Sequence, residues 1–169
     1  MTLEQVNDLN QDDFVSVLGS IFEHSPWVAA RAYRRRPFAS LEALHEAMTD
    51  EMYAAPPADQ LHLLRAHPDL AGKAAVRGEL TQSSRREQVG AGLDQCSPDE
   101  LELIQELNTK YASKFGFPFI MAVKGCTRAD VIGQLTQRLG RSPPQEREEA
   151  LAQVARIAWY RLTAAVGSG

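Results

Sequence analysis

Residues 67–75 read His-Pro-Asp-Leu-Ala-Gly-Lys-Ala-Ala. An imidazole with an ordinary pKa of roughly 6.5 can give or take a proton near neutral pH. The proline that follows pushes the histidine out of the α region. His67 is therefore expected where a helix opened by Asp59 must stop. Such a stop can hold a general acid–base group in one place. The plain alternative is a histidine at a helix C-terminus, favoured there by the helix dipole.

Three other places break the local pattern. Residues 84–88 read Ser-Arg-Arg-Glu-Gln. As a first helical turn they would offer backbone N–H groups to an anion. Ser84 and Gln88, four apart, share a helix face and can each hydrogen-bond a ligand. Glu87 beside them can serve as acid, base or orienter of an imidazole. The plain reading is a capped surface turn with solvated charges.

Residues 116–125, Gly-Phe-Pro-Phe-Ile-Met-Ala-Val-Lys-Gly, form an apolar run that is either an extended segment or the start of a helix. Its backbone groups need partners. A small polar ligand would supply them, and so would the neighbours of a buried connector. Arg161 follows Val154 by seven residues and Ile157 by four, at the edge of the apolar stripe of the last helix. A guanidinium directed inward needs an anionic partner or several acceptors. Its fork suits a carboxylate or a planar ureido group. Otherwise its stem packs while its head reaches water.

The elements that must position these residues read as helices almost throughout. Asn10 caps a helix that puts Phe14, Val17, Leu18, Ile21 and Phe22 on one face. Ser25-Pro26 ends it and starts a second, which ends near Pro37. Ser40 opens a third, ending before Pro56-Pro57, and Asp59 a fourth, ending near His67. Residues 68–82 carry two glycines and no clear period. Ser83 or Ser84 begins a short helix. Ser97-Pro98-Asp99-Glu100 is a capping box for a long one that stops at Gly116. Thr127 caps a helix with Val131, Leu135 and Leu139 inward, and Ser142-Pro143 starts the last. No strand alternation or internal repeat is visible. The expected fold is all-α: a single-domain irregular bundle of about eight helices over residues 1–169.

Composition narrows the chemistry. The 169 residues are 44% hydrophobic and 24% charged, with a formal net charge of −4. That balance argues against nucleic acid or an anionic membrane as partner. The runs Arg34-Arg35-Arg36 and Arg85-Arg86 are short and offset by acids. No apolar run approaches the roughly 20 residues of a membrane span. The polar N-terminus is unlike a signal peptide, and the C-terminal Ala-Ala-Val-Gly-Ser-Gly lacks a Ser-Lys-Leu type ending. A cytoplasmic protein is expected. Cys96 and Cys126 are far apart, with no Cys-x-x-Cys pair. There is no phosphate-binding loop, no His-Glu-x-x-His and no Gly-x-Ser-x-Gly. An enzyme built from these residues would use acid–base chemistry, without metal or organic cofactor.

Taken together, the stretches at 67–75 and 84–88, Asn-Thr-Lys-Tyr-Ala-Ser-Lys-Phe-Gly-Phe-Pro-Phe-Ile-Met-Ala-Val-Lys-Gly at 108–125, and Arg161 resemble the OHCU decarboxylase family (2-oxo-4-hydroxy-4-carboxy-5-ureidoimidazoline decarboxylase). The resemblance covers essentially the whole chain, including motif order and spacing. It implies an all-α, cofactor-free carboxy-lyase of urate breakdown that yields (S)-allantoin, acting on a small molecule and assembled as a homodimer. It implies that His67 is the catalytic acid–base group and that Glu87 assists it. It further implies a substrate site lined by Pro68, by Ser84, Arg85, Arg86, Glu87 and Gln88, by Phe119, Ile120, Met121, Ala122 and Val123, and by Arg161. Two rivals stand beside it: a non-catalytic helical interaction module, and another cofactor-free lyase or isomerase of a ureido or heterocyclic acid.

Overall fold

The computed structural model describes residues 1–167; the end of the C-terminal Gly-Ser-Gly, residues 168 and 169, lies outside the described residues. Among the described residues the fold is all-α, with ten α-helices, two short 3-10 turns and no strand. The chain forms two compact units, Met1–Ala66 with Val154–Gly169, and His67–Gln153.

The first unit holds α1 (Leu3–Asp8), α2 (Gln11–Leu18), α3 (Trp27–Ala32), α4 (Leu41–Ala54), α5 (Pro57–Arg65) and the end of α10 (Pro143–Ala165). Its core is built from Phe14, Leu18, Val28, Leu44, Met48, Met52, Leu63 and Leu162, all fully or almost fully buried. Burial of each such side chain contributes about 1.5–3 kcal/mol. Phe14 meets the edge of Tyr33 at 5.4 Å.

The second unit holds α6 (Lys73–Arg77), α7 (Gln82–Gly90), α8 (Pro98–Phe115), α9 (Arg128–Leu139) and the beginning of α10. Ser97 and Glu100 form the expected capping box of α8, and Gly116 ends that helix at φ 79°. Thr127 caps α9 as read from the sequence. Tyr111 centres an aromatic cluster with Phe115, Phe117 and Phe119, at centroid distances of 4.5, 6.0 and 5.4 Å.

Several boundaries differ from expectation. The helix capped by Asn10 ends at Leu18, although Ile21 and Phe22 beyond it stay buried; Gly19-Ser20 is a weak helix former and lets the chain turn there. α1 precedes it, held by a Thr2–Gln5 capping box. Residues 68–82 contain the short α6, which has no buried side chain and so no apolar period to read. α7 starts at Gln82, because Thr81 rather than Ser83 or Ser84 supplies the cap. On α9 the third inward residue is Arg138, 3% exposed, while Leu139 is only half-buried.

Candidate active site

His67 follows the C-cap of α5 and is 7% exposed. Pro68 removes the helical option from it. The chain then runs through Asp69, Leu70 and Ala71, and three side-chain amides hold this backbone. The Ala71 N–H donates to Gln88 Oε1 at 2.9 Å, and Gln88 Nε2 donates to the Asp69 carbonyl at 3.3 Å. Asn108 Nδ2 donates to the Leu70 carbonyl at 2.8 Å, and Gln105 Nε2 reaches the Ala71 carbonyl at 3.5 Å. Ala71 sits at φ 51°, a left-handed conformation that an alanine rarely adopts. Gln88 acts on this stretch as a strand partner would, and its two bonds offset the cost of that conformation. Burial pushes the Asp69 carboxyl above its ordinary pKa.

On α7 the expected pairing of positions 84 and 88 is present: Ser84 and Gln88 are both 4% exposed. Glu87 is half-buried, and Arg85 and Arg86 are exposed. Two details correct the sequence reading. The Ser84 N–H is already taken by Thr81 Oγ1 at 3.3 Å, so it belongs to the cap and not to an open anion cradle. The Gln88 amide is committed to Asp69 and Ala71. Gln88 and Arg85 also line a pocket of about 310 Å³, with Ala71, Leu93, Cys96 and Leu101. His67 and Glu87 are not among the residues that line it.

Residues 117–123 are neither helix nor turn, and Phe119, Ile120 and Val123 are buried. This settles the alternative left open for the apolar run. Arg138 Nη1 donates to the Ile120 carbonyl at 2.7 Å, and the Ala122 N–H donates to Gln153 Oε1 at 2.9 Å. Behind Arg138 lies a buried cluster. Arg138 Nε donates to Glu146 Oε1 at 2.7 Å, and the Tyr111 hydroxyl donates to the same oxygen at 2.6 Å. Burial, and then the bond to Glu146, raise the Tyr111 pKa well above that of a free phenol. Glu146 Oε2 accepts no hydrogen bond among the described residues, yet it faces Arg141 Nη1 at 3.4 Å. That oxygen is compensated by charge without hydrogen-bond geometry.

α8 joins the two held segments. Asn108 and Tyr111 lie on its buried face, three residues and about 4.5 Å of rise apart. Asn108 grips Leu70, and Tyr111 packs its ring on Phe119. The stretch after His67-Pro68, the inward face of α7 and the 119–123 segment are thereby tied to one scaffold within the second unit. Asn108 Oδ1 is buried without a hydrogen-bond partner among the described residues.

Arg161 belongs to the first unit. It is 8% exposed, and its Nη1 donates to Glu23 Oε2 at 2.6 Å. The anionic partner demanded by its inward position is thus an internal carboxylate, itself 2% exposed. Among the described residues, no group of three or more His, Cys, Asp or Glu side chains converges as metal ligands would.

Sequence reasoning missed Arg138, Glu146 and Gln153. The signal for the first two was present. Arg138 continues the stripe of Val131 and Leu135, at seven and three residues, and Glu146 stands four before Ala150 and eight before Val154. The rule that singled out Arg161 also applies to both.

Comparison with known proteins adds the family. The model of the OHCU decarboxylase family matches residues 7–163. A Haloferax volcanii protein named 2-oxo-4-hydroxy-4-carboxy-5-ureidoimidazoline decarboxylase is 44% identical over 162 residues, 96% of this chain and 94% of that protein. A mouse protein of the same name is 39% identical over 168 residues, covering 99% of this chain and 94% of the relative. Among solved structures, (S)-allantoin synthase superposes with a TM-score of 0.80 at 30% identity, over 98% of this chain and 54% of that one. An OHCU decarboxylase crystallised in the presence of (S)-allantoin shares the fold, with a TM-score of 0.69 at 22% identity over 92% of this chain and 97% of that one. With one family model spanning nearly the whole chain and full-length relatives this similar, the chain belongs to the OHCU decarboxylase family.

Proposed function

We propose that this protein decarboxylates 2-oxo-4-hydroxy-4-carboxy-5-ureidoimidazoline to (S)-allantoin in urate breakdown. The observation that carries the reading is the match of the family model over residues 7–163, together with relatives of that name at 39–44% identity over almost their full length.

The substrate's own chemistry sets the protein's task. The carbon that bears the carboxylate also bears a hydroxyl, and it adjoins a ring imine. When the C–C bond to the carboxylate breaks and carbon dioxide leaves, its electron pair forms a C=C bond with the imine carbon. The imine π pair then passes to the ring nitrogen, which takes a proton. The resulting enol loses its hydroxyl proton as the ring carbonyl forms, and the neighbouring carbon takes a proton on one face. The ring is its own electron sink. The protein must orient the substrate and deliver a proton stereospecifically.

His67, at a helix stop and followed by a clamped backbone, suits the proton-handling role. Glu87, half-buried on α7, is assigned to setting the imidazole's charge or orientation. Pro68, residues 84–88, residues 119–123 and Arg161 are assigned to substrate binding, with Gln88 acting through the backbone it holds. The whole of residues 1–169 is taken as one functional domain, assembled as a cytoplasmic homodimer and working without metal or organic cofactor.

The test generates the unstable substrate from urate with urate oxidase and hydroxyisourate hydrolase, then follows the optical activity of allantoin. The expected result is fast formation of the (S) enantiomer only when this protein is present, with activity retained after exhaustive chelation. Slow racemic product at the spontaneous rate would overturn the reading. Unchanged turnover and allantoin affinity in Glu87→Gln or Arg161→Lys would remove that residue from the site.

A further inference from the structure

The Arg138 cluster lies outside every role assigned so far. An arginine and a glutamate that are 3% and 0% exposed form an expensive arrangement. Buried ion pairs contribute little net stability, and apolar residues of similar volume often replace them without loss. Its geometry points to a different use. The guanidinium takes Glu146 with Nε and the Ile120 carbonyl with Nη1, both at 2.7 Å, and its carbon stands 4.5 Å from the Phe119 ring centroid. Glu146 and the Tyr111 hydroxyl fix the fork, and the fork fixes Ile120.

A second grip lies two residues on. Gln153 Nε2 donates to Glu149 Oε1 at 2.8 Å, which turns the amide so that its oxygen faces the Ala122 N–H. The two grips act on two successive peptide planes. In a trans peptide the C=O of one residue and the N–H of the next point in opposite directions. Holding the Ile120 carbonyl therefore aims the Met121 N–H away from Arg138. Holding the Ala122 N–H aims the Met121 carbonyl away from Gln153. Neither polar group of the Met121 backbone has a hydrogen-bond partner among the described residues.

We propose that Arg138, backed by Glu146 and Tyr111, and Gln153 are positioning residues. They lock the two peptide planes flanking Met121, so that its N–H and C=O present a fixed donor–acceptor pair to the ureido or ring amide of the substrate. The inference rests on the proposed decarboxylase reading and adds to it the device that orients the binding segment. Neither side chain touches substrate; each acts through the backbone.

Arg138→Lys keeps the charge beside Glu146 but loses the fork. Gln153→Met removes the acceptor at a half-buried position and leaves the Arg138 cluster intact. In both, helical circular dichroism should match wild type, while amide exchange at residues 119–123 should accelerate and the Met121 amide resonance should shift. The KM and the allantoin Kd should rise about tenfold, the effect of losing roughly 1.4 kcal/mol of binding. The kcat should change far less, because the pair grips ground and transition states alike. If Arg138→Lys does not fold, Gln153→Met decides. A folded Gln153→Met with wild-type KM and allantoin affinity overturns the inference. So does faster exchange spread evenly over residues 67–153, which marks a purely structural role. A wild-type protein that neither turns over the substrate nor binds allantoin overturns the decarboxylase reading itself, and is distinguished from a wild type that is active while its variants are unaffected.

Discussion

Residues 67–80 open the second unit and include the short α6, residues 117–126 join α8 to α9, and the two stretches are held in different ways. The first is gripped at its beginning by the neutral amides of Gln88, Asn108 and Gln105. Past Ala71 it passes into α6, and exposure rises from 7% at His67 to 66% at Val76. The second is gripped in its middle by Arg138 and Gln153, and closed by a turn in which the Cys126 N–H donates to the Val123 carbonyl at 2.9 Å. Neutral amides suffice where the held stretch directly follows a helix and a proline already limits its freedom. A segment with no helix of its own is fixed through a buried charge. In both, order is concentrated on the few residues assigned to the chemistry.

The hardest break in that comparison takes the imidazole from the first segment and leaves both sets of grips in place. His67→Asn should lower kcat by about 10²- to 10⁴-fold, the usual contribution of a general acid–base group. Helical circular dichroism and allantoin binding should stay near wild type. A folded variant with near-normal turnover would make His67 a structural helix-end residue.

Releasing the grip on the first segment should act on stability as well. Gln88→Leu leaves the Ala71 N–H and the Asp69 carbonyl without their side-chain partner. Each unpaired buried group costs about 1–3 kcal/mol. A loss of about 2 kcal/mol or more is expected in denaturant titration, with turnover falling because the backbone after His67 is released. Gln88→Glu keeps an acceptor for Ala71 and loses the donor to Asp69, so it should fall between the two. Equal stability of Gln88→Leu and wild type would show that the hydrogen bonds of Asn108 and Gln105 hold the segment unaided.

What could be read in the sequence follows the same division. Ser40, Ser97-Pro98, Thr127 and Gly116 mark helix ends by side-chain chemistry within four residues, and the structure places those ends there. α1 carried the same kind of signal in Thr2 and Gln5. α6 carried none, because a five-residue helix without a buried side chain leaves no period. The amide grips were illegible for another reason. Gln88 and Ala71 are 17 residues apart, and a side chain bonding to distant backbone imposes no spacing on either stretch. Arg138 and Glu146 were legible as charges on apolar stripes, but what they hold was not. The roles assigned to His67, Glu87 and Arg161 came from resemblance, since position alone left each with an ordinary structural alternative.

The smallest effect gives the finest test of how the two segments differ. Each ends near a glycine in the left-handed region with open space around its Cα: Gly78 at φ 72° and Gly125 at φ 78°. Alanine at either site meets no neighbour and pays only the backbone cost, about 1 kcal/mol. At Gly125 the chain cannot relax, because Arg138 and Gln153 hold residues 120 and 122 on one side and the capped start of α9 stands on the other. Gly125→Ala should therefore show the full cost, a fall in melting temperature of about 2–4 °C. At Gly78 the strain can be relieved by unwinding α6, which removes no side chain from the core. Local opening of that kind leaves the global transition nearly untouched. Gly78→Ala should move the melting temperature by less than about 1 °C and show instead as faster amide exchange confined to residues 73–80. Equal shifts in calorimetry for the two variants would mean that α6 is coupled to the core as tightly as the turn at Gly125, and that the first segment is held along its whole length.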